Sequence, residues 1–230
     1  MNAAGFPAER RSFPLNIANN LAALRPLLGD AVLVAATKYV GPEEMRELLA
    51  CGVTDLGENR AQDFLAKSAE LADLPIRWHF IGHLQTNKVK AVVDRLAFLH
   101  SLDSFRLAEE IQKWRKRSPL ACFVEVNISG EPAKTGMPAE EVRDFVDGLA
   151  KYDKIKVVGL MGMAAETDDA ETARKRFASL AALRDEIRGL ALPWAPCGFL
   201  SMGMSRDFRI ALECGATHVR LGSILFRNEG

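Results

Sequence analysis

Short apolar runs alternate with longer amphipathic segments along most of the chain. Runs of roughly four to eight apolar residues suit strands that are buried on both faces of a sheet. The runs are VLVAAT, VTDLGEN, RWHFIGH, LAFLHSLD, ACFVEVNIS, KVVGLMGM, PCGFLSMGM and THVRLGSILF. We therefore predict eight strands in this order.

Apolar residues at helical spacing occupy the segments between these runs. After the first run, Pro42 suits the first turn of a helix and Gly52 suits its exit. Met45, Leu48 and Leu49 form the apolar stripe between them. The corresponding stripes of later segments are Leu107, Ile111 and Trp114, then Val142, Phe145, Val146 and Leu149, then Ala173, Phe177, Leu180 and Ile187. Each stripe is interpreted as the core face of a helix.

Strands that alternate with helices are typical of a parallel sheet covered by helices. Eight such pairs in 230 residues favour an α/β fold of the (β/α)8 TIM barrel type, with an open doubly wound sheet as the alternative. A dinucleotide-binding sheet would carry GxGxxG after its first strand, where this chain has TKYVG. We predict a single barrel domain over residues 1–230 with an extra N-terminal helix from Ser12 to Leu27. This helix would place Leu15, Ala18, Ala22 and Arg25 near one face.

Composition excludes several classes of protein. With 48% hydrophobic residues the chain can bury one large core, and 30 Lys and Arg balance 30 Asp and Glu. This balance gives no global field that would favour nucleic acid or an anionic membrane as a partner. The N-terminal sequence lacks the apolar core of a signal peptide, and no apolar stretch approaches the ~20 residues of a membrane span. The four cysteines lack metal-binding spacing, so reduced thiols and a cytoplasmic location are expected.

Lys38 follows the first apolar run, where a strand passes into a loop. In a barrel, the active face is built from such loops at the carboxyl ends of the strands. A lysine among apolar residues loses solvation of its ammonium form, and the free amine can form a Schiff base with a carbonyl. The alternative is a lysine whose stem lies on apolar surface while its charge reaches water. Position alone does not decide between them.

The last two strand exits, FLSMGMSRDF and VRLGSILF, combine glycine with hydroxyl residues. Glycine lets backbone N–H groups approach an anion, and Ser201, Ser205 and Ser223 add hydroxyl donors. Barrels often hold a phosphate at the ends of strands seven and eight. Arg220 lies inside the last apolar run, where its guanidinium needs either an ion-pair partner or a ligand. The two stretches together predict a phosphate site.

A carbonyl-trapping lysine, a phosphate site and an inward-facing arginine together suggest pyridoxal 5′-phosphate (PLP). This cofactor carries an aldehyde, a phosphate and a ring nitrogen that needs a partner. Aldolases that act on sugar phosphates also combine a Schiff-base lysine with a barrel phosphate site, but their lysine usually lies on a later strand. PLP is therefore the favoured ligand, and an aldolase is the alternative.

Seven motifs in order resemble those of the pyridoxal phosphate homeostasis proteins, also called proline synthetase co-transcribed homologues. This family is related to the N-terminal barrel of alanine racemase. The motifs are AATK, GENRAQ, WHFIGHLQTNK, SLDS, VEVNISGEPAKTG, LSMGMSRDF and VRLGSILF, and they cover essentially the whole chain. Two features depart from the pattern: GLMGMAAE lacks a proline expected after the sixth strand, and Ser223 replaces the usual threonine.

The resemblance implies a PLP site of Lys38, Asn59, Ser201, Arg220, Gly222 and Ser223. In it, Lys38 would carry the Schiff base, Asn59 would lie beside the cofactor and Arg220 would face the pyridine nitrogen. Ser201 and the backbone of Gly222 and Ser223 would hold the phosphate. No catalytic residue and no metal ligand is assigned.

Other polar residues in the motifs receive different interpretations. His79 and His83 are four residues apart, but a strand up to Ile81 and then a loop are predicted there, so hydrogen bonding is favoured over metal binding. Glu58 could be a general base or the partner of a cation, and it is left unassigned. Lys134 is interpreted as a solvated lysine, with a transient hold on PLP as the alternative.

The resemblance implies a PLP-binding protein rather than an enzyme. Racemase relatives carry a second domain that supplies a tyrosine, and we expect none here because the sequence reaches Gly230 soon after strand eight; its tyrosines are Tyr39 and Tyr152. An arginine opposite the ring nitrogen also disfavours the protonated ring that carbanion chemistry uses. We expect a monomer that buffers PLP or passes it to apo forms of PLP-dependent enzymes. A weak amino acid racemase or another PLP enzyme is the alternative.

Overall fold

The computed structural model describes residues 16–129, 131, 135–164 and 169–227. In this part of the chain, parallel strands close into a barrel in their sequence order. The strands are β1 (Val32–Ala36), β2 (Asp55–Glu58), β3 (Arg77–Phe80), β4 (Phe98–Leu102), β5 (Leu120–Val126), β6 (Ile155–Gly162), β7 (Phe199–Ser201) and β8 (His218–Leu221). The predicted TIM barrel is confirmed, and the doubly wound alternative is wrong.

Helices surround this barrel. They are α1 (Ile17–Leu28), α2 (Pro42–Ala50), α3 (Ala61–Glu70), α4 (Val89–Val92), α5 (Phe105–Trp114), α6 (Val142–Gly148), α7 (Ala170–Gly189) and α8 (Phe208–Glu213), with 3-10 turns at Thr86–Lys88, Val93–Arg95, Ala139–Glu141 and Leu149–Lys151. Their predicted apolar stripes are buried or packed against the core, except that Leu49 is only half-buried. The hydrophobic core therefore lies between helices and barrel, as expected for this fold.

Each predicted apolar run coincides with one strand of the barrel, although β5 and β6 begin one residue before their runs. The β3 strand ends at Phe80, one residue before the predicted end at Ile81. Pairing of Val32 with His218 and of Ala35 with Leu221 joins β1 to β8 and closes the barrel. The loops that follow β1 and β8 therefore lie side by side, although they come from opposite ends of the sequence.

The N-terminal helix is present, but its buried face differs from the predicted one. Ala18, Ala22 and Arg25 are exposed, and the buried side chains are Ile17, Asn20, Leu21, Leu24 and Leu28. The predicted face is wrong because the helix turns its larger apolar residues, and not its alanines, toward the core. The predicted start at Ser12 and the fourth residue of the predicted face, Leu15, lie outside the described residues.

A buried asparagine of α1 binds the chain that follows β8. Asn20 donates through Nδ2 to the carbonyl oxygens of Leu225 and Arg227 at 3.0 and 2.9 Å. These hydrogen bonds fix the turn after β8 against the first helix, and that turn lies beside the site described below. Within the described part of the chain, every helix is too short or too polar to cross a membrane.

Candidate functional site

A cavity of about 1060 Å³ opens at the carboxyl ends of β1, β7 and β8. Its wall includes four of the residues predicted for the PLP site, Lys38, Arg220, Gly222 and Ser223. Ser205 also lines it. A concave site that gathers an amine, a guanidinium and backbone donors from distant parts of the sequence is suited to an anionic ligand with a reactive carbonyl.

Lys38 lies in the turn after β1, and its side chain is exposed. Its Nζ atom lies 4.7 Å from the centre of the Tyr39 ring, which is a cation–π distance. Tyr39 is itself 80% exposed. The expectation that apolar neighbours desolvate Lys38 is therefore wrong. The amine is available because the turn carries it to the cavity rim, beyond the packed end of the strand.

A buried ion pair fixes the backbone next to Lys38. Glu58, at the end of β2, lies with its Oε1 atom 2.7 Å from the Nζ atom of Lys67 on α3. The same ammonium group donates to the carbonyl oxygen of Thr37 at 2.8 Å, and the Thr37 hydroxyl donates to Glu58 at 2.5 Å. Separating buried charges is costly, so the pair ties the end of β1 to β2 and α3. Of the two roles left open for Glu58, the structure shows that of the partner of a cation.

Two backbone N–H groups converge on the hydroxyl of Ser205. Gly222 and Ile224, in the turn after β8, each donate to the Oγ atom of Ser205 at 3.4 Å. Hydrogen bonds of this length are weak, so an anion could replace the hydroxyl as their acceptor at small cost. Gly222 also lies close to β1, since a Cβ atom there would be 3.3 Å from the carbonyl oxygen of Ala36.

A glycine with positive φ shapes the turn after β7. Gly203 has a φ of 90°, and a Cβ atom there would lie 2.6 Å from the Cβ atom of Ala211 on α8. Only glycine combines this backbone conformation with so close a contact. The Gly203 carbonyl accepts a hydrogen bond from the Arg220 N–H at 3.0 Å. The turn that carries Ser205 is thereby held against β8.

The Arg220 guanidinium reaches the cavity from inside the barrel. Its Nη1 atom donates to the carbonyl and hydroxyl oxygens of Ser201 at 2.8 and 2.6 Å, and Nη2 donates to the carbonyl oxygen of Gly162 at 3.2 Å. Burial lowers the pKa of Arg220 to about 10, although the nearby carboxylates of Asp207 and Glu125 act to raise it. The guanidinium therefore stays charged at neutral pH and is anchored by neutral oxygens.

The structure does not bring Ser201 or Asn59 to the wall of this cavity. Ser201 is fully buried, and its hydroxyl contacts Arg220 at 2.6 Å and His100 Nδ1 at 2.7 Å. Its side chain points into the barrel interior because β7 alternates inward and outward positions. Asn59 lines a neighbouring pocket of about 260 Å³ together with His83, and its buried Oδ1 atom has no hydrogen-bond partner among the residues that the structure describes.

Sequence reasoning missed Lys67 and Asp207. Lys67 follows Phe64 at helical spacing on the buried face of α3, so an ionisable residue on an apolar stripe was the available signal. Asp207 lines the cavity, accepts the Met204 N–H at 2.6 Å, and has its pKa raised by burial. Nothing in its sequence context distinguishes Asp207 from a surface carboxylate. Ser205 was recognised as a donor, but its central place among the N–H groups was not.

The remaining predictions have mixed outcomes. His79 is hydrogen-bonded inside the barrel, as predicted, and His83 lies 3.4 Å from Asp103 with an exposed side chain. Among the described residues, no cluster of His, Cys, Asp and Glu could hold a metal ion. Lys134 and residues 165–168 of the loop after β6 lie outside the described residues. The role of Lys134 stays a prediction.

Comparison with known proteins agrees with the fold and the motifs. Residues 15–229 match the family described as "Alanine racemase, N-terminal domain". A pyridoxal phosphate homeostasis protein of Aquifex aeolicus is 43% identical over 201 residues, which span 85% of this chain and 86% of that protein. An alanine racemase from Corynebacterium glutamicum, 20% identical, superposes with a TM-score of 0.69 and covers 93% of this chain and 60% of its own. This last likeness concerns the fold.

A second solved structure lies much nearer in sequence. PipY of Synechococcus elongatus PCC7942 without PLP is 35% identical, with a TM-score of 0.86, and the match covers 92% of this chain and all of that one. PipY has also been solved with PLP bound, with a TM-score of 0.83. The chain therefore belongs to the alanine racemase N-terminal domain family and, within it, to the pyridoxal phosphate homeostasis proteins.

Proposed function

We propose that this protein binds PLP in the cavity at the ends of β1, β7 and β8, holds it on Lys38 and releases it on demand, without catalysing a reaction. The observation that carries the proposal is that Lys38, Arg220 and the Gly222–Ser223 turn line one cavity. The PLP-bound structure of PipY supports this ligand. The single barrel is proposed to be the whole binding unit.

The Lys38 amine is the attachment point in this proposal. Bound PLP would supply an aldehyde, with which the Lys38 amine could form a Schiff base by loss of water. Addition of water would reverse this and restore both the amine and the free cofactor. The Glu58–Lys67 pair keeps the Lys38 backbone in place during both directions. Attachment of this kind would lower the concentration of free aldehyde. Hydrolysis would return the free aldehyde, whereas a second amine would take over the cofactor as a new Schiff base and leave the Lys38 amine free.

The phosphate of PLP is assigned to the turn after β8. The N–H groups of Gly222 and Ile224 already point at one oxygen, that of Ser205. Ser223 adds a hydroxyl at the same wall and keeps the donor that the usual threonine would supply. Ser201 lies deeper, beneath Arg220, and is assigned a supporting role. The phosphate group would thus bind mainly to backbone donors and to two hydroxyls.

Arg220 is assigned to the ring nitrogen. A guanidinium only donates hydrogen bonds, so it leaves a ring nitrogen unprotonated and weakens the ring as an electron sink. A binding protein needs no such sink, whereas an enzyme that forms carbanions does. This charge distribution supports storage and delivery of the cofactor.

A racemase activity is the second candidate, and Tyr39 is the observation that favours it. Its ring lies next to Lys38 and lines the cavity, where a phenol could exchange a proton with a bound amino acid. Incubation with PLP and single-enantiomer amino acids, followed by chiral chromatography, separates the two candidates. Steady turnover that Tyr39→Phe abolishes would replace the binding function by the enzymatic one.

An absorption spectrum tests the main proposal directly. Purified protein mixed with PLP should show a visible imine band that hydroxylamine removes. Lys38→Ala should lose this band while keeping its far-ultraviolet circular dichroism, because an exposed rim side chain contributes little to packing. Lys175→Ala, which removes an exposed lysine from α7, is the matched control. An unchanged imine band in Lys38→Ala, with the PLP-modified peptide mapping to another part of the chain, would refute the assignment of the Schiff base to Lys38.

Delivery to apo-enzymes, a monomeric state and a cytoplasmic location complete the proposal. The four cysteines are free thiols, which suits a reducing compartment.

A phosphatase that destroys free PLP distinguishes direct transfer of PLP to an apo-enzyme from release of PLP into solution. Reactivation of an apo-enzyme that persists in its presence supports direct transfer, and reactivation that stops supports release into solution. Sedimentation analysis of the loaded protein tests the monomer.

A further inference from the structure

A continuous chain of hydrogen bonds crosses the interior of the barrel. It runs from the Arg220 guanidinium to Ser201 Oγ (2.6 Å), from there to His100 Nδ1 (2.7 Å), from His100 Nε2 to His79 Nδ1 (2.8 Å) and from His79 Nε2 to Asp55 Oδ1 (2.8 Å). The members come from five different strands, β8, β7, β4, β3 and β2. One end lies in the cavity, and the other lies at the amino end of β2.

The carboxylate end sets the direction of the donors. Burial raises the pKa of Asp55, but hydrogen bonds from His79 and Arg77 outweigh it and lower the pKa overall, so Asp55 is an anion that only accepts. His79 must then donate through Nε2. Burial lowers the pKa of both His79 and His100, the latter well below its usual value, which makes both rings neutral.

A neutral imidazole has one donor and one acceptor, so the remaining bonds follow in order. His79 Nδ1 accepts from His100 Nε2, and His100 Nδ1 accepts from the hydroxyl of Ser201. The Ser201 oxygen, having donated its own proton, accepts from Arg220. In this chain, every N–H or O–H group therefore donates in the direction of Asp55 and away from the cavity. Each hydrogen bond polarises its neighbours, so the bonds strengthen one another.

The rings in the chain are held by aromatic neighbours. His79 stacks on Phe98 with ring centres 4.6 Å apart, and His100 lies 4.5 Å from Phe123. All five members are buried. Arg77, outside the chain of hydrogen bonds, closes its far end with Nη2 at 2.6 Å from Asp55 Oδ1. A buried polar chain of this length would be costly to desolvate unless each partner were in place.

We propose that Asp55, His79, His100 and Ser201 are positioning residues that act as one relay to hold the Arg220 guanidinium toward the ligand cavity. The inference deepens the proposed function, because Arg220 is there assigned to the ring nitrogen of PLP. The relay explains why Ser201 lies beneath the arginine. It also explains why two histidines and an aspartate occupy a barrel interior that apolar residues usually fill.

Measurements on the ligand-free protein test the relay independently of PLP. Nitrogen-15 NMR should show both His79 and His100 as neutral rings with the proton on Nε2. The Arg220 Nη protons should give resolved signals, because hydrogen bonds hinder rotation of the guanidinium. A proton on Nδ1 of either ring, or averaged Arg220 signals, would overturn the proposal even if PLP binds as proposed.

Two relay variants and one control then separate positioning from packing. His100→Gln interrupts the relay, and Asp55→Asn removes the terminal charge without changing shape, so it remains informative if the first variant does not fold. His218→Gln is the control, because His218 is buried in the same interior but hydrogen-bonds Thr217. Both relay variants should average the Arg220 Nη signals, and the control should leave them resolved.

Binding provides the second readout. Each relay variant should weaken PLP binding by about tenfold or more, since a hydrogen-bonded charged group is disturbed. Each should also shift the absorption band of the bound cofactor, whereas the control should do neither. Equal effects of His100→Gln and His218→Gln on the Arg220 signals and on the band would assign these histidines to packing alone. Absence of PLP binding by wild-type protein with resolved Arg220 signals would refute the proposed function and leave the relay intact.

Discussion

The ammonium group of Lys67 lies 2.8 Å from the carbonyl oxygen of Thr37, the residue that precedes Lys38. One lysine thus fixes the backbone that presents another. Lys67 is almost completely buried and carries its charge into the core, where Glu58 is its counter-ion. Lys38 is exposed. The two lysines therefore differ in environment: Lys67 is a buried cation with a counter-ion, and Lys38 lies exposed at the wall of the cavity.

Removal of the buried cation should destabilise the protein strongly. Lys67→Met leaves the Glu58 carboxylate buried without its partner, which should lower the free energy of unfolding by about 3–5 kcal/mol in urea denaturation. Glu58→Gln combined with Lys67→Met removes both charges and should recover part of this loss. Arg46→Met is the control, because its ion pair with Asp73 is exposed and should contribute under about 1 kcal/mol. Equal losses in Lys67→Met and Arg46→Met would contradict the account of the buried pair.

Loss of the Ser205 hydroxyl should weaken the binding of PLP but not the binding of pyridoxal, which has no phosphate. Ser205→Ala removes one oxygen from the assigned phosphate site and should weaken PLP binding by about 1 kcal/mol, or up to about 3 kcal/mol for a charged acceptor. Fluorescence titration of both ligands measures the difference. Ser179→Ala, on the exposed surface of α7, is the control. If PLP and pyridoxal bind the wild-type protein equally well, the phosphate assignment is wrong.

Gly203 should not tolerate a side chain. Gly203→Ala places a Cβ atom 2.6 Å from Ala211 in a backbone conformation with positive φ. We expect a loss of stability of about 1–3 kcal/mol and weaker PLP binding, because the Ser205 turn must move. Gly189→Ala is the matched control, since a Cβ atom there meets open space at the end of a helix. Thermal denaturation of the two variants should show a large drop for the first and a small change for the second.

The buried histidines should make stability fall as the pH is lowered below neutral. Burial lowers the pKa of His218 to about 4 and also lowers those of His79 and His100. Between a lowered folded-state pKa and the unfolded value of 6.5, the unfolded chain binds more protons, so the free energy of unfolding rises with pH in that window. For His218 the window spans pH 4 to 6.5 and is worth about 3 kcal/mol.

Urea denaturation at pH 7, 6 and 5 measures this dependence. His218→Gln should reduce the slope of stability against pH by about one proton between pH 5 and 6. His83→Gln removes an exposed ring and serves as the control. A slope that His218→Gln leaves unchanged would mean that this ring is solvated in the folded protein.

The fold was predictable because apolar runs and helical stripes report burial directly. The run that ends at Thr37 and the run that contains Arg220 could both be placed at barrel exits from the order of the strands alone. The buried face of α1 was predicted wrongly although its apolar residues Ile17, Leu21, Leu24 and Leu28 lie at helical spacing. Only the burial of Asn20 lacks a local signal, because Asn20 binds the turn after β8. That partner is distant in sequence, and no local pattern indicates it.

The residues at the mouth of the candidate site could be predicted from the sequence, whereas the positions of the buried residues behind Arg220 could not. Lys38 and the Gly222–Ser223 turn follow strands directly, and topology alone brings them to the cavity. Ser201 was assigned to phosphate because hydroxyls near strand ends often bind it, but its inward position depends on where the short β7 strand stops. The contacts of His79 and His100 depend on how strands turn their side chains inside the barrel, which sequence periodicity does not specify.

The pairing of β1 with β8 also affects how the chain folds during synthesis. β1 leaves the ribosome early, yet one of its edges has no partner until β8 has been made. An unpaired apolar strand edge can template aggregation, so the nascent barrel is vulnerable throughout most of translation. The contacts between α1 and the turn after β8 join residues 205 positions apart, so we expect them to form last and to complete the assigned phosphate site. The ability to capture the cofactor should therefore arise only when the barrel has closed.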